Sequence, residues 1–529
     1  MSRAIKYFFL SFTIIVSGNI FSQGLTILDH KDKIVIQKLT QLNSFARETN
    51  LSISPDGKYL YFMSDRGGQP WSTYSGTYKG KSRYDGDIWY SSKSGDTWRK
   101  PTCLGLGVNT SSGEDEPMVS QDGQYICYQS WKYNWKVTGG PYYKAELDGS
   151  RFTRVQGLGG GINKFILTEY IKAGNTYATD GAAMSPDGKL FLLCCGRDYD
   201  GRMDIYYSRK VNGKWTYMKR LPISTSGDER SVFIAGDGKT IYFASDGYRG
   251  FGGLDIYKTT INSDGSCGEV INIGKPFNTS SDDYGFIMTA DGNEAYFVRE
   301  GDIYFANTKE ADPLLKPGVT VLISGTIKDQ HGNPLQYYLE LDDVANGEEI
   351  STSKSNSETG EFLFSTSDVT SKYRIRDDNH KYIDTTFSVR IKDGVGKKHI
   401  DIIIPVPEEN PPTLEMEEKS IMVNFEHDRS NLDAEDKKKL DEIVGITHMS
   451  IEYEITIIGH TDKKGSNEYN KKLGLERAQS MKNYLVSQGV NPDKISISSS
   501  GESKLLDPNE NTAAAERNRR AELTIKFSN

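Results

Sequence analysis

One short turn recurs five times between residues 54 and 293, and it constrains the fold more than any other feature. It reads Ser54-Pro55-Asp56-Gly57-Lys58, Ser120-Gln121-Asp122-Gly123-Gln124, Ser185-Pro186-Asp187-Gly188-Lys189, Gly236-Asp237-Gly238-Lys239 and Ala290-Asp291-Gly292-Asn293. A strand-forming run follows each copy, at 59–63, 125–129, 190–194, 240–244 and 294–298. Asp-Gly between such runs predicts a hairpin turn of type I′, in which both central residues need positive φ. A second element recurs as Asp87-Ile88-Trp89, Asp204-Ile205-Tyr206, Asp255-Ile256-Tyr257 and Asp302-Ile303-Tyr304; the second unit carries Tyr142-Tyr143-Lys144 instead. Units of about 50 to 65 residues, each with three or four short strands, predict an all-β propeller of about five blades. It is expected to span 23–310, with strand material from 30–47 completing the last blade.

The remaining length calls for more than this. At about 100 to 200 residues per domain, 529 residues predict three or so domains. The 64 Lys and Arg against 72 Asp and Glu leave a net charge of −8, which excludes a nucleic-acid partner that would need a basic face. No run of about 18 apolar residues exists, which excludes a polytopic membrane protein. The one apolar stretch, 7–16, follows Arg3 and Lys6 and precedes small residues up to Ser22. That pattern predicts a secretory signal peptide over 1–22 and an exported mature chain. No Cys lies near the cleavage region, so a lipid anchor is not expected. The five cysteines are sparse and odd in number, favouring buried free thiols over a disulfide framework. Their spacing suggests no zinc site, and the sequence calls for no cofactor.

The repeats resemble the PD40 (WD40-like) repeats of TolB-type propellers. That resemblance implies a rigid docking platform more than an enzyme. Two tempting sites fit the repeat better than a ligand. Asp198-Tyr199-Asp200-Gly201 with Asp204 has calcium-loop spacing, but Asp204 belongs to the recurring Asp-Ile-Tyr element. Glu114-Asp115-Glu116 has acidic counterparts at 228–230 and 281–283 and reads as a strand start.

Residues 319–405 change character. Short strands separated by Gly332-Asn333-Pro334 and Thr359-Gly360 turns predict a small β-sandwich. This stretch resembles the carboxypeptidase-regulatory-like family, which implies a spacer or interaction unit. An acidic, Pro-rich linker is expected over 406–419.

The last 110 residues, 420–529, alternate strands and helices, an α/β pattern. The second helix carries Leu473, Met481 and Leu485 on its apolar stripe, with Arg477 four residues from both Leu473 and Met481. A guanidinium beside a buried face is costly unless paired. Asp462, in the loop before the helix, is the nearest anion in sequence. Two readings stay open. The pair is a structural salt bridge, or it grips a zwitterion, with Asp462 taking an ammonium and Arg477 a carboxylate.

Gly459-His460-Thr461-Asp462, Gly465, Tyr469-Asn470, Leu473, Arg477-Ala478, Gly501-Glu502 and Asn518-Arg519-Arg520 resemble, in order and spacing, the OmpA-like peptidoglycan-binding domain. The resemblance implies that Asp462 and Arg477 hold the amine and carboxylate of diaminopimelate in a peptidoglycan stem peptide. It implies that Thr461, Tyr469, Asn470 and Arg519 line the same pocket. Two positions depart from the family. Gly474 stands where Ser is common, which weakens the helix by about 1 kcal/mol or less. Asp428 sits at the pocket edge, where it favours the ligand's amine or repels its carboxylates. His460 has no nucleophile or metal partner at suitable spacing, so no catalytic residue is expected.

The order of propeller, sandwich and OmpA-like domain resembles Bacteroidetes OmpA-family proteins, among them a type IX secretion accessory. The expectation is a non-enzymatic periplasmic scaffold, associated with the outer membrane, that anchors an outer-membrane assembly to peptidoglycan. The propeller would dock an outer-membrane protein or secretion component. The alternative is a propeller-based glycan-binding or hydrolytic enzyme that uses the C-terminal domain only as a tether.

Overall fold

The computed structural model describes residues 25–30, 33–197, 202–405, 417–450 and 452–528. The expected signal peptide, the loop 198–201 and the linker over 406–416 lie outside the described residues.

The N-terminal half holds five sheets, antiparallel but for one edge strand, each opening on one inner strand: β1 (Glu48–Ile53), β2 (Glu114–Val119), β3 (Tyr177–Met184), β4 (Glu229–Ile234) and β5 (Asp283–Met288). β2 lies beside β1 and β3, β4 beside β3 and β5, and β5 beside β1. Outer strands follow in sequence order within each sheet. Strands before β1 finish two sheets. Ile36–Lys38 pairs with the last strand of the β5 sheet, as expected, whereas Thr26–Asp29 adds to the β4 sheet in parallel.

Four of the five inner strands begin in the same way, β3 being the exception. Glu48, Glu114, Glu229 and Asp283 each accept hydrogen bonds from the backbone N–H and hydroxyl of a Ser or Thr four residues earlier. The strand-start reading therefore holds for Glu114. It holds for Asp115 and Glu116 as well, which continue the strand, and Glu116 also lines a small cavity between the inner strands.

The recurring turns join inner to second strands, but they are not type I′. The glycines have positive φ, 74° at Gly57 and 65° at Gly188, while the preceding aspartates do not. The aspartate side chain does the work instead. Asp56 Oδ1 accepts from Ser54 Oγ and Lys58 N, and Ser54 Oγ accepts from Tyr59 N, with the same set at Ser120 and Ser185. Side-chain closure of a longer loop replaces the strained two-residue turn.

Two elements had not been expected. A helix, α1 (Gly160–Lys172), is inserted before β3 and buries Ile162, Phe165 and Ile166, while a hairpin of Tyr74–Tyr78 and Lys81–Tyr84 extends the first sheet's loop. All five cysteines are free.

The middle unit packs two four-stranded sheets over Val321, Ile323, Leu339, Leu341, Phe362, Phe364 and Ile375. It lies across the turn end of the five sheets and touches every one. Gln121 donates to Thr352 O and accepts from Ser365 N, Asp122 accepts from Lys354 N, and Asp237 accepts from Gly318 N. Lys397–Asp291, Lys58–Glu361 and Lys189–Glu349 add ion pairs.

The C-terminal unit is a sheet ordered β6 (Glu417–Asn424), β9 (Arg520–Ser528), β7 (Glu452–His460), β8 (Ile495–Gly501). The helices α2 (Ala434–Met449) and α3 (Asn467–Ser487) pack over Val423, Leu440, Ile443, Ile455, Ile457, Met481, Leu485 and Leu523. Asp433 caps α2 through a reciprocal bond with Asp436. β6 begins at Glu417, so the expected linker does not reach 419. Pairing of Glu417 with Phe527 and Lys419 with Ile525 outweighs the acidic composition. This unit docks on the β2 sheet through Arg151–Asp493 at 2.8 Å and Gln156 Nε2 donating to His448 O at 3.2 Å.

Candidate functional site

The site forms where β7 runs out into the loop 461–466 and α3 begins. Ser466 caps the helix, its Oγ accepting from Tyr469 N. Gly459 and Gly474 then let α3 lie directly on β7. A Cβ at Gly459 would come within 1.8 Å of Gly474 O, and one at Gly474 within 2.3 Å of Ser499 Oγ. Gly474 is thus a contact requirement. What helix propensity loses there is offset by close packing.

That approach seats Arg477, one turn further along α3, under the loop. It is fully buried, at 0% exposure. Its Nε donates to Arg429 O (2.9 Å), Nη1 to His460 O (2.7 Å) and Nη2 to Glu426 O (3.2 Å). The guanidinium lies over the Phe425 ring, 5.3 Å from its centroid. Burial lowers its pKa to about 10, opposed by the Asp462 and Asp428 charges. It is a cation at neutral pH.

The structural Arg477–Asp462 salt bridge is absent among the described residues. Asp462 pairs with Arg519 instead, Nη1 to Oδ2 at 3.2 Å, while its Oδ1 accepts from Lys464 N. The physical reason is the three carbonyls, which take up Arg477 and leave Asp462 to Arg519. Arg519 is itself anchored, Nε donating to Phe425 O.

The other expected residues divide. Tyr469 is 45% exposed and its hydroxyl donates to Asp428, a residue held at φ 58°. Both lie near Arg477 and affect its charge. Thr461 is buried, tied through its N–H to Gly501 O, with its hydroxyl unpartnered. Asn470 is buried and donates to Glu502, on the β8 side of the loop. The structure therefore brings Asp462, Arg477, Arg519, Asp428 and Tyr469 together, and sets Asn470 behind them as loop support.

Sequence reasoning missed three contributors. His427 Nδ1 stands 3.9 Å from Asp462 Oδ2. Glu426 and Arg429 act through their carbonyls, which no side-chain motif signals. His460 likewise serves through its carbonyl. Its buried ring has no hydrogen-bond partner, and burial and the Arg520 charge lower its pKa.

A guanidinium has five N–H groups, and three are used. One on Nη1 and one on Nη2 make no hydrogen bond, and the whole side chain is closed off from solvent. Asp462, beside it, is a carboxylate acceptor for an ammonium. The arrangement can bind a small zwitterion and has no nucleophile–base pair.

The fold and site together define an α/β module with a buried arginine at its loop–helix junction. Residues 424–519 match the model of the OmpA family. The peptidoglycan-associated lipoprotein of Pasteurella multocida is 32% identical over 109 residues, covering 21% of this chain and 73% of that protein. Through this domain, the chain belongs to the OmpA family. Outer membrane protein A of Bordetella avium is 35% identical over 101 residues, 19% of this chain and 52% of that protein. The chain thus spans about half the length of that relative, and 25% of outer membrane protein A of Serratia marcescens. A crystal structure of the peptidoglycan-associated lipoprotein from Burkholderia pseudomallei is 28% identical, covering 20% of this chain and 88% of that one with a TM-score of 0.19.

Proposed function

We propose that this protein is a non-enzymatic envelope scaffold that fastens an outer-membrane assembly to peptidoglycan. Asp462 takes the amine of a stem-peptide diaminopimelate, and the two remaining N–H groups of Arg477 take its carboxylate. Arg519 holds Asp462 in place, while Tyr469 and Asp428 border the entry. The observation that carries this reading is Arg477 itself: a buried cation held by three carbonyls at the loop–helix junction, with Asp462 near enough to raise its pKa. The family's peptidoglycan-associated lipoproteins support the choice of ligand. The mature chain works in the periplasm, against the cell wall and outer membrane. Among the described residues no helix is long and apolar enough to cross a membrane.

In the same reading the five sheets are the blades of a β-propeller that docks a protein partner, with a type IX secretion component as one such partner. The order of the inner strands, with β5 beside β1, supports five blades. The sandwich covers the turn face.

Sedimentation of the mature full-length chain with diaminopimelate-type sacculi tests the anchor. Wild type should pellet, and Asp462→Asn should stay in the supernatant with an unchanged circular dichroism spectrum. Equal pelleting of a folded Asp462→Asn variant would sink the clamp.

A further inference from the structure

The stretch from Phe425 to Arg429 lies between β6 and α2 and is tied to both arginines of the wall-domain site. Phe425 N donates to Arg519 O at 2.7 Å, and Phe425 O accepts from Arg519 Nε at 3.2 Å. Glu426 O and Arg429 O accept from Arg477. Asp428, at φ 58°, accepts from the Tyr469 hydroxyl. Each residue of the stretch but one is therefore fixed through its backbone or its side chain. The exception is His427, and the anchors on either side of it set where its Cα stands.

That places its ring beside the carboxylate to which the proposed function gives the ligand's ammonium. His427 Nδ1 is 3.9 Å from Asp462 Oδ2, too long for a hydrogen bond and short enough for an ion pair once the ring is charged. The other two neighbours of that carboxylate are committed. Lys464 N donates to Oδ1, and Arg519 Nη1 to Oδ2. The Arg519 side chain is 13% exposed and anchored on Phe425 O. The His427 side chain is 62% exposed, and its ring makes no hydrogen bond among the described residues. Of the three neighbours, only the imidazole can move off Asp462 without breaking a hydrogen bond.

Histidine is the side chain whose charge ordinarily changes between pH 5 and 8. An imidazolium at this distance pairs with Asp462 and repels a second cation, whereas a neutral ring does neither. The further charged or titratable groups nearby are Glu426, Asp428 and Arg429 in its own stretch and Lys464 after β7. Tyr469 and Arg477 stand on α3, and Arg519 precedes β9. All of them remain when His427 alone is changed.

We propose that His427 sets the affinity of this site: neutral, it leaves Asp462 to the ammonium of the stem peptide, and charged, it takes that ammonium's place. Wall attachment then weakens as pH falls through the histidine range. The inference rests on the anchor reading of the site and names the residue that controls it.

Sacculus sedimentation of the mature chain at pH 7.5 and pH 5.5, at one ionic strength, tests it. For wild type, the sacculus concentration at half-maximal pelleting should rise about three- to fivefold at the lower pH. His427→Gln should pellet at both pH values as wild type does at pH 7.5. His427→Lys, charged throughout, should pellet weakly at both. Circular dichroism at each pH checks that these exposed substitutions leave the fold intact. No rise for wild type, a rise that His427→Gln shares, or strong pelleting of His427→Lys would overturn the inference and leave the anchor standing. Failure of wild type to pellet at pH 7.5 would overturn both.

Discussion

Two buried charge sites in this protein are built in opposite ways. In the C-terminal domain a lone arginine sits under a loop, held by the carbonyls of Glu426, Arg429 and His460. Between the inner strands two carboxyl groups, Asp115 and Glu116, sit with hydrogen bonds but in no ion pair among the described residues, Arg47 acting on Asp115 only from a distance. Carbonyl dipoles stabilise a guanidinium in the absence of a contacting carboxylate. Carboxyl groups buried without a contacting cation are held towards their protonated form. Burial shifts both in the same sense, against charge. The backbone repays that cost at Arg477; between the inner strands it is left outstanding.

The largest expected effect comes from breaking the first site. Arg477→Met strands three carbonyls and should lower stability by about 3 kcal/mol in urea unfolding. A loss below about 1 kcal/mol would mean those carbonyls find water, and that Arg477 is not structurally required. Gly459→Ala attacks the same site from behind. Its Cβ would collide with Gly474 O, and about 1–3 kcal/mol should be lost with sacculus binding weakened, because the His460 carbonyl moves with the strand.

Acid separates the docked end of the wall domain from both sites. Burial and the nearby Lys132 lower His448 from its ordinary 6.5 to about 4. Between those values the unfolded chain binds the proton and the folded chain does not, so stability rises with pH there. The contribution is full above pH 6.5 and is lost as pH falls towards 4, by at most about 3 kcal/mol. Thermal melts of His448→Gln against the parent at pH 7 and pH 5 check this, with the variant expected to show the smaller acid loss. The smallest effect belongs to the second site. Glu116→Gln should change stability by no more than about 1 kcal/mol, because it removes a carboxyl that burial already keeps from charging. A larger loss would show that the carboxylate is charged and counterbalanced, against the contrast drawn above.

Much of this was legible in the sequence because it repeats or caps. The five Asp-Gly turns predicted five sheets, and the Asp433 cap and Gly489 stop bounded helices that the structure places at Ala434–Met449 and Asn467–Ser487. Asp462 and Arg477 stood out because a guanidinium beside an apolar stripe needs an explanation. Their relation to each other was not legible. Pairing Asp462 with Arg519, 57 positions away, depends on β9 lying between β6 and β7. The turn type was misread for a related reason, since Ser54, Asp56 and their counterparts close the loop through side chains. The helix at 160–172 carries Ile162, Phe165 and Ile166 at helical spacing but lacks a side-chain cap, so its start gave no signal.

The sequence alone determined the number of sheets, the β-sandwich that follows them, the α/β class of the last 110 residues and the residues that carry charge into its core. These are local matters of turn chemistry, periodicity and spacing, which short stretches decide by themselves. Tertiary structure alone decided which charges meet. Three carbonyls converge on Arg477 because two glycines let a helix lie flat on a strand. Glu116 and Asn50 converge because five strands, each too short to enclose anything, turn the same bulge towards one small cavity.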